Sequence, residues 1–260
     1  MRGGAQAHLM RCQGDTPNDY YVVKFQNNPQ AARGGRILCN ELLGTRLTAR
    51  FGLPVQPPAV VDVSPDLIRN TTDLVMQTGA GTIPCTPGLQ FGSRYPGHPA
   101  ETAVHDFLPD DKLAEVENLA DFAGMLVLDK LLCNTNGRQA IFYRNSDRAG
   151  YRAVFVDMGF CFNAGEWSFP DAPLRGIYPK HRVYAAVTGM KSFGSWLERV
   201  EGITPSLLDQ AAAEIPSAWY DDDQEALFHL LDQVYRRKNR VADMIVEAKN
   251  SSRQPFLNWR

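Results

Sequence analysis

The chain has 260 residues, of which 44% are apolar and 22% are charged. This composition is typical of soluble globular proteins, and it excludes a disordered, collagen-like or disulfide-scaffold chain. The 29 acidic and 27 basic residues leave a formal net charge of −2, so no overall positive field is available to hold nucleic acid. The length predicts one large domain or a two-lobed unit.

The cysteines and the apolar segments indicate the compartment. The five cysteines are odd in number, widely separated and without metal-ligand spacing, which favours a reducing environment. The most apolar stretch, 122–133, is too short to cross a membrane and carries Asp129 and Lys130. Residues 1–5 lack the apolar core of a signal peptide. We therefore expect a cytoplasmic protein that does not contact membranes.

The N-terminal third predicts short strands around one helix. An aromatic and β-branched run over 20–25 is typical of a strand, which Asn27-Asn28-Pro29 ends. Apolar spacing predicts a helix over 36–50. Its inward face carries Leu38, Leu42, Thr45 and Ala49. Further strands are expected at 57–63, on a sheet edge because of its prolines, and at 73–77.

Composition changes in the middle of the chain. Five prolines and five glycines over 79–109 predict a linker or a long functional loop. Beyond it, helices are expected over 111–133, 195–200, 205–215 and 222–249. Strand-like segments at 140–143 and 151–156 predict one hairpin within this half. The outline is a strand-rich lobe and a larger helical lobe, with a cleft between them for a ligand.

Glycines near the N-terminus are the first candidate functional feature. Gly3, Gly4, Ala5 and Gln6 directly precede the apolar run 8–10. Glycine before a strand lets backbone N–H groups approach phosphate oxygens. Two accidental glycines at a frayed terminus are the alternative.

Lys24 and Glu41 predict a charged pair. Lys24 shares a strand face with Val22, an arrangement that places a cation on phosphates and a small apolar side chain under a base. Glu41 lies about 60° from the centre of its helix's apolar stripe and could reach inward to hold Lys24. An exposed lysine and a solvated glutamate are the alternatives.

Two aspartates in the second half also call for an explanation. Asp129 occurs in a helix segment that is apolar almost all round, where an unpaired charge would cost several kcal/mol, so it needs a partner or a task. The amide-rich loop 134–139 after it suits helix-capping and turn chemistry as well as a site. Asp157 follows the strand 151–156, and an Asp at a strand end beside a cleft is a natural Mg²⁺ ligand. A turn-initiating Asp is the alternative.

The order of these parts resembles the protein-kinase superfamily, and the local strings resemble HipA-type kinases. Gly3-Gly4-Ala5-Gln6 is similar to the Gly-Ala-Gln-Pro-Lys phosphate loop of that family, with Ala7 and His8 in place of Pro and Lys. Tyr21-Val22-Val23-Lys24 resembles the ATP-lysine strand, and Glu41 resembles its helix partner. Asp157-Met158-Gly159 is similar to the metal-binding Asp-Phe-Gly element.

The resemblance implies an α+β, bilobal protein-kinase-like fold, with a small β-rich N-lobe over 1–95 and a larger helical C-lobe over 96–260. It implies ATP and Mg²⁺ as cofactors and a Ser or Thr hydroxyl on a protein substrate as the acceptor. Asp157 is the implied metal ligand. The implied nucleotide-binding residues are Gly3, Gly4, Ala5, Gln6, Val22, Lys24 and Glu41. This interpretation requires Lys24 and Asp157 to meet in one pocket.

The catalytic loop departs from the family pattern, Asn-Thr-Asp-X-His-X-Lys-Asn. Asn136 stands where the catalytic Asp is expected, and Ile141 stands where the second metal-binding Asn is expected. Asp129 could supply the carboxylate, with Asn134 or Gln139 as a metal ligand, so Asp129, Asn134 and Asn136 are the candidate catalytic set. The alternatives are a pseudokinase that binds nucleotide or a partner with little turnover, and a kinase for a lipid or small molecule.

Overall fold

The computed structural model describes residues 4–14, 19–30, 36–144 and 149–260. Strands dominate the N-terminal part of the chain. In chain order its elements are β1 (His8–Cys12), β2 (Asp19–Lys24), α1 (Ile37–Arg50), β3 (Pro58–Val63), α2 (Pro65–Asn70), β4 (Val75–Thr78), β5 (Gly81–Pro84) and β6 (Gly88–Arg94). An antiparallel sheet forms in the order β1-β2-β6-β3, and β4 pairs with β5 as a separate hairpin.

Helices dominate the rest of the chain. The elements are β7 (Val104–His105), α3 (Asp121–Leu131), β8 (Gln139–Tyr143), β9 (Arg152–Val156), α4 (Gly194–Glu201), α5 (Pro205–Ala212), α6 (Gln224–Arg237) and α7 (Val241–Lys249). Short 3-10 turns lie at Leu113–Glu115, Cys161–Glu166, His181–Tyr184, Met190–Phe193, Ser217–Tyr220 and Lys238–Arg240. The three strands form an antiparallel sheet in the order β7-β8-β9. No helix in the described parts of the chain has the length and apolarity needed to span a bilayer.

Helix α1 is enclosed on almost every side. Eleven of its 14 residues are buried, so the single stripe expected from the sequence understates its burial. Leu38, Leu42 and Thr45 are buried as predicted, whereas Ala49 at the last turn is exposed. The helix packs against β3 and β6 on one side and against α5 and the turn after β9 on another. It therefore holds the strand-rich and helical parts together.

Two apolar clusters of buried side chains lie on different sides of the main sheet. The larger one runs from α1 and Phe91 of β6 through α3 to α7. The smaller one joins β2 and β3 to the β4–β5 hairpin. Its buried members are Val23, Phe25, Val63, Leu74, Met76 and Cys85. Because α1 belongs to the larger cluster, its position depends on the helical part of the chain.

The prediction of a linker or long loop over 79–109 is wrong. This stretch contains β5, the short β7 and β6, which is a central strand of the main sheet. Gly92 of β6 lies at a close approach, because a Cβ there would lie 2.7 Å from Val61 Cγ2. A glycine at this position weakens the strand-like pattern of the sequence, because it leaves room for a side chain of the neighbouring strand.

Other boundaries also differ from the predicted ones. The helix predicted over 111–133 begins only at Asp121, because the backbone before it pairs with Tyr151, whose N–H donates to Glu115 O at 2.9 Å. The helix predicted over 222–249 is divided into α6 and α7 by the turn Lys238–Arg240. The predicted hairpin is confirmed as β8 and β9, and positions 145–148 of its connection lie outside the described residues. The lobe boundary at 95/96 stays a prediction.

Gly124 of α3 provides a test of this packing. A Cβ there would lie 2.5 Å from the Trp196 ring, so we expect Gly124→Ala to lower the free energy of unfolding by about 1–3 kcal/mol. In an open helix the same change would raise stability by roughly 1 kcal/mol. Gly194→Ala in α4 is the matched control, since nothing lies within 4 Å of its added Cβ. Urea unfolding measures both variants, and equal effects would contradict the packing.

Candidate functional site

A cavity of about 590 Å³ lies between the main sheet and the β8–β9 hairpin. This volume is in the range of small-molecule sites. The N-terminal loop, β2, α1 and β6 line one side, and β8, β9 and residues 178–180 line the other. The cavity therefore lies where the sequence predicted a ligand between two lobes.

Three charged side chains from separate parts of the chain meet at the cavity wall. Lys24 Nζ lies 2.8 Å from Asp157 Oδ1 and also donates to Glu41 Oε1. The other oxygen of Glu41 accepts the Met158 N–H at 3.0 Å. Glu41 is only 1% exposed. β2, α1 and the segment after β9 are therefore joined by one ionic cluster.

The cluster shifts the pKa of each of its members. Burial lowers the pKa of Lys24, but the charges of Glu41 and Asp157 outweigh burial and hold it above its ordinary value. Burial raises the pKa of Glu41, against the opposing charge of Lys24. Burial acts in the same direction on Asp157, but the charge and hydrogen bond of Lys24 prevail and hold its pKa below the ordinary value. Lys24 and Asp157 are thus ionised near neutral pH.

Asp129 has a partner that the sequence did not predict. Arg138 Nε donates to Asp129 Oδ2 at 2.9 Å, and Arg138 Nη2 donates to Oδ1. The two side chains are 0% and 1% exposed, and Asn134 Nδ2 donates to the same carboxylate at 2.9 Å. Arg138 lines the cavity, whereas Asp129 lies behind it and does not. This geometry weighs against Asp129 as a group that touches a ligand.

The other residues of and next to the loop 134–139 differ in whether they reach the cavity. Gln139 and Ile141 line the cavity, and Gln139 Nε2 donates to Asp157 Oδ2. Asn134 is buried outside it, with its Oδ1 bonded to Asn136 N–H at 3.0 Å. Asn136 is exposed and caps the turn at Gly137 N. The structure thus brings Gln139 to Asp157 but leaves Asn134 and Asn136 away from the cavity.

The N-terminal loop lines the cavity at Gly4, Ala5 and Gln6, as does Val22 of β2. Gly3 lies outside the described residues. The Gln6 amide is used in a clip to β4: its Nε2 donates to Gln77 O at 2.8 Å, and its Oε1 accepts the Gln77 N–H at 2.7 Å. The Gln6 side chain therefore attaches this loop to β4.

Asn40, the neighbour of Glu41, fixes the chain after Asp157. It is fully buried, and its Nδ2 donates to the carbonyls of Gly159, Cys161 and Ala164 at 2.9, 3.1 and 2.7 Å. Its Oδ1 accepts the Trp167 indole N–H at 2.8 Å. Residues 162–164 have positive φ angles of 58–59°, a conformation that needs such support. The local sequence carries no signal for this role.

The cavity offers few protein ligands for a metal ion. In the described parts of the chain, no cluster of three or more His, Cys, Asp or Glu side chains could hold a metal ion. The cavity nevertheless offers the Asp157 carboxylate, with the Gln139 amide beside it. Mg²⁺ prefers one or two carboxylates together with phosphate oxygens and water. These residues fit an ion that arrives with a nucleotide.

Solved structures of kinases are similar to this chain. The proinflammatory kinase CtkA of Helicobacter pylori matches with a TM-score of 0.54 and 15% identity, over 93% of this chain and 94% of CtkA. The Golgi casein kinase matches at 0.48 and 13%, over 96% and 74% of the two chains. The same kinase with Mn/ADP bound matches at 0.46 and 13%, over 95% and 74%. Neither a protein-family model nor a curated protein matches this sequence.

The likeness to CtkA confirms the predicted α+β, bilobal, protein-kinase-like fold. At 15% identity it shows the fold and not the activity. Membership of the HipA-type kinases is not tested by these comparisons and stays a prediction. The roles expected for the individual site residues also stay predictions.

The ionic cluster predicts a pH dependence of stability. Because the pKa of Glu41 is raised in the folded state, its contribution to the free energy of unfolding is present below its unfolded pKa of about 4.3. This contribution is lost as pH rises through the folded pKa. Asp157 behaves in the opposite way, because its folded-state pKa is lowered. Its contribution to the free energy of unfolding is present above its unfolded pKa of about 3.9 and is lost as pH falls through the folded pKa.

Removing the ammonium with Lys24→Met should raise the folded-state pKa of both carboxyls. The stability of the variant should then increase from pH 7 to pH 5, so that its deficit against the wild type shrinks. Urea unfolding at both pH values measures the deficit, and the exposed Lys191→Met is the control. A deficit that stays constant with pH would contradict the cluster.

The buried pair of Asp129 and Arg138 predicts a non-additive loss of stability. Asp129→Ala leaves the guanidinium buried without its counter-charge and should cost about 3–5 kcal/mol of unfolding free energy. Asp129→Leu combined with Arg138→Met removes both charges and should cost less than the single change. Urea unfolding of the three proteins tests this, and a larger loss in the double variant would refute the pairing.

Proposed function

We propose that this chain is an ATP-dependent phosphotransferase that binds Mg²⁺-ATP between its lobes and phosphorylates a Ser or Thr hydroxyl of a protein. The observation that carries the proposal is the Lys24 ammonium, held between Glu41 and Asp157 at the wall of a nucleotide-sized cavity. The fold shared with CtkA supports the same interpretation.

Each residue of the cluster has a part in binding. Lys24 offers its charge to the phosphates, and Glu41 keeps the ammonium at the wall. Ala5 and its neighbours in the N-terminal loop offer backbone N–H groups above the phosphates. Asp157, with Gln139, would hold Mg²⁺, which when bound offsets phosphate charge. Positioning and charge compensation supply most of the catalysis in phosphoryl transfer, so this arrangement suits the reaction.

The acceptor side is the less complete part of the site. The side chain of Asn136 cannot take a proton as a carboxylate does, and Asp129 is occupied by Arg138. Phosphoryl transfer proceeds through a loose transition state that needs little help from a base, so transfer without a carboxylate at 136 is slow and not abolished. A protein acceptor rests on the kinase-like resemblance.

A second candidate function is a nucleotide-binding module with little turnover. The observation that favours it is that neither candidate position offers a carboxylate to the cavity. Asp129 lies behind Arg138, and position 136 holds an exposed amide that caps a turn. The ionic cluster of Lys24 would then serve binding alone.

Nucleotide binding is tested with the purified chain. Isothermal titration calorimetry should show ATP binding in the presence of Mg²⁺ that weakens roughly 10-fold or more in Lys24→Met, because a charge-assisted contact to phosphate is lost. Asp157→Asn should weaken binding mainly when Mg²⁺ is present. Lys191→Met, outside the cavity, is the control and should bind as the wild type. Thermal melts confirm that each variant is folded.

Transfer is tested with radiolabelled ATP and protein acceptors. The wild type should incorporate phosphate slowly, and Asp157→Asn should abolish incorporation. Asn136→Asp should change the rate little, because position 136 lies outside the cavity and the loose transition state needs little help from a base. ATP binding without transfer in the wild type would favour the second candidate, and absence of ATP binding would refute both.

A further inference from the structure

Gln56 lines the cavity, and its side-chain amide has no hydrogen-bond partner among the described residues. It lies in the segment just before β3, and only 9% of the residue is exposed. No hydrogen bond to its side chain occurs within residues 4–14, 19–30, 36–144 or 149–260, although it lines the cavity and also a neighbouring cleft of about 440 Å³. A ligand that displaces water from this end of the cavity has to replace the lost hydrogen bonds.

The strand register places Gln56 away from the phosphate end. Lys24 is opposite Phe91 in the β2–β6 pair. Arg94, three residues further along β6, donates its N–H to Pro57 O at 3.0 Å, directly beside Gln56. At about 3.3 Å per residue, roughly 10 Å of strand separates the two positions. This span matches the separation of the base and the phosphates in a nucleoside triphosphate.

The surroundings of Gln56 suit a flat, neutral ring. Phe91, Tyr95 and Phe155 line the cavity with aromatic surface. The nearby guanidinium of Arg94 is already paired, because its Nη2 donates to Asp19 Oδ1 at 2.8 Å. Gln56 therefore offers one neutral donor and one neutral acceptor to the edge of a base.

We propose that Gln56 determines nucleobase specificity by reading the amino edge of adenine. Its Oε1 accepts from the exocyclic N6 amino group, and its Nε2 donates to N7, the bidentate pairing that glutamine makes with adenine. Guanine presents two acceptors, O6 and N7, along the same edge, so the amide oxygen would face an acceptor. The inference rests on the proposed function, and it adds the base that the cavity selects.

The experiment is a set of binding titrations with Mg²⁺ and three nucleotides: ATP, GTP and purine riboside triphosphate, which lacks the N6 amino group. The wild type should prefer ATP over each of the others by roughly 10-fold or more. Gln56→Met keeps the volume and removes the hydrogen bonds, so its preference should fall to within about twofold. Gln56→Glu keeps an acceptor and loses the donor, so its preference should lie between these values.

The control is Gln30→Met, an amide that lines the cavity beside Gly4 and whose Oε1 is buried without a hydrogen-bond partner among the described residues. It should change the affinity for all three nucleotides by the same factor. An unchanged ATP preference in Gln56→Met, with ATP binding intact, would overturn the role of Gln56 and leave the proposed function standing. A wild type that binds none of the nucleotides would overturn both.

Discussion

The structure depends on the ionic contact between Lys24 and two carboxylates that are distant in sequence. A buried lysine and a buried glutamate are tolerated only when their charges are paired. The free-energy cost of removing each from water is larger than the gain from any single weak contact. The sheet, α1 and the segment after β9 must therefore keep one relative arrangement. The same arrangement surrounds the cavity, so the contact that stabilises the fold also determines the shape of the site.

A second set of contacts, made by buried polar side chains, supports this arrangement. Asn40 binds three carbonyls and an indole N–H of the segment after Asp157, and Arg138 joins the Asp129 carboxylate to the end of β9 through Val156 O. Both side chains are buried, and both connect one element to the backbone of another. The charged groups at the wall are thus held in place by buried polar contacts to the backbone around them.

Local pattern was sufficient for much of the fold. Periodicity predicted β2, α1 and the β8–β9 hairpin, because each has a clear pattern of apolar and polar residues. It failed for β6, where Gly92 makes room for Val61 and the surrounding glycines and prolines resemble a loop in the sequence. Similarity to kinase motifs drew attention to Lys24, Glu41 and Asp157, which meet in the structure.

The partners that sequence reasoning missed share one property. Arg138, the counter-charge of Asp129, and Asn40, which binds the segment after Asp157, both depend on contacts between distant segments. An aspartate in an apolar helix signals that a cation is needed, but only the folded chain shows which cation supplies it. Side chains that bond to backbone leave even less of a trace, since their partners can be any residue.

The clip between Gln6 and β4 illustrates this last point. The Gln6 side chain hydrogen-bonds to the backbone N–H and C=O of Gln77, and every amino acid except proline at position 77 provides the same two groups. Position 77 can therefore change without loss of these two hydrogen bonds, although the Gln77 side chain itself accepts a hydrogen bond from Thr82 Oγ1 at 3.0 Å. The attachment of the loop to β4 thus constrains the side chain at position 6, whereas residue 77 is constrained only by its own hairpin.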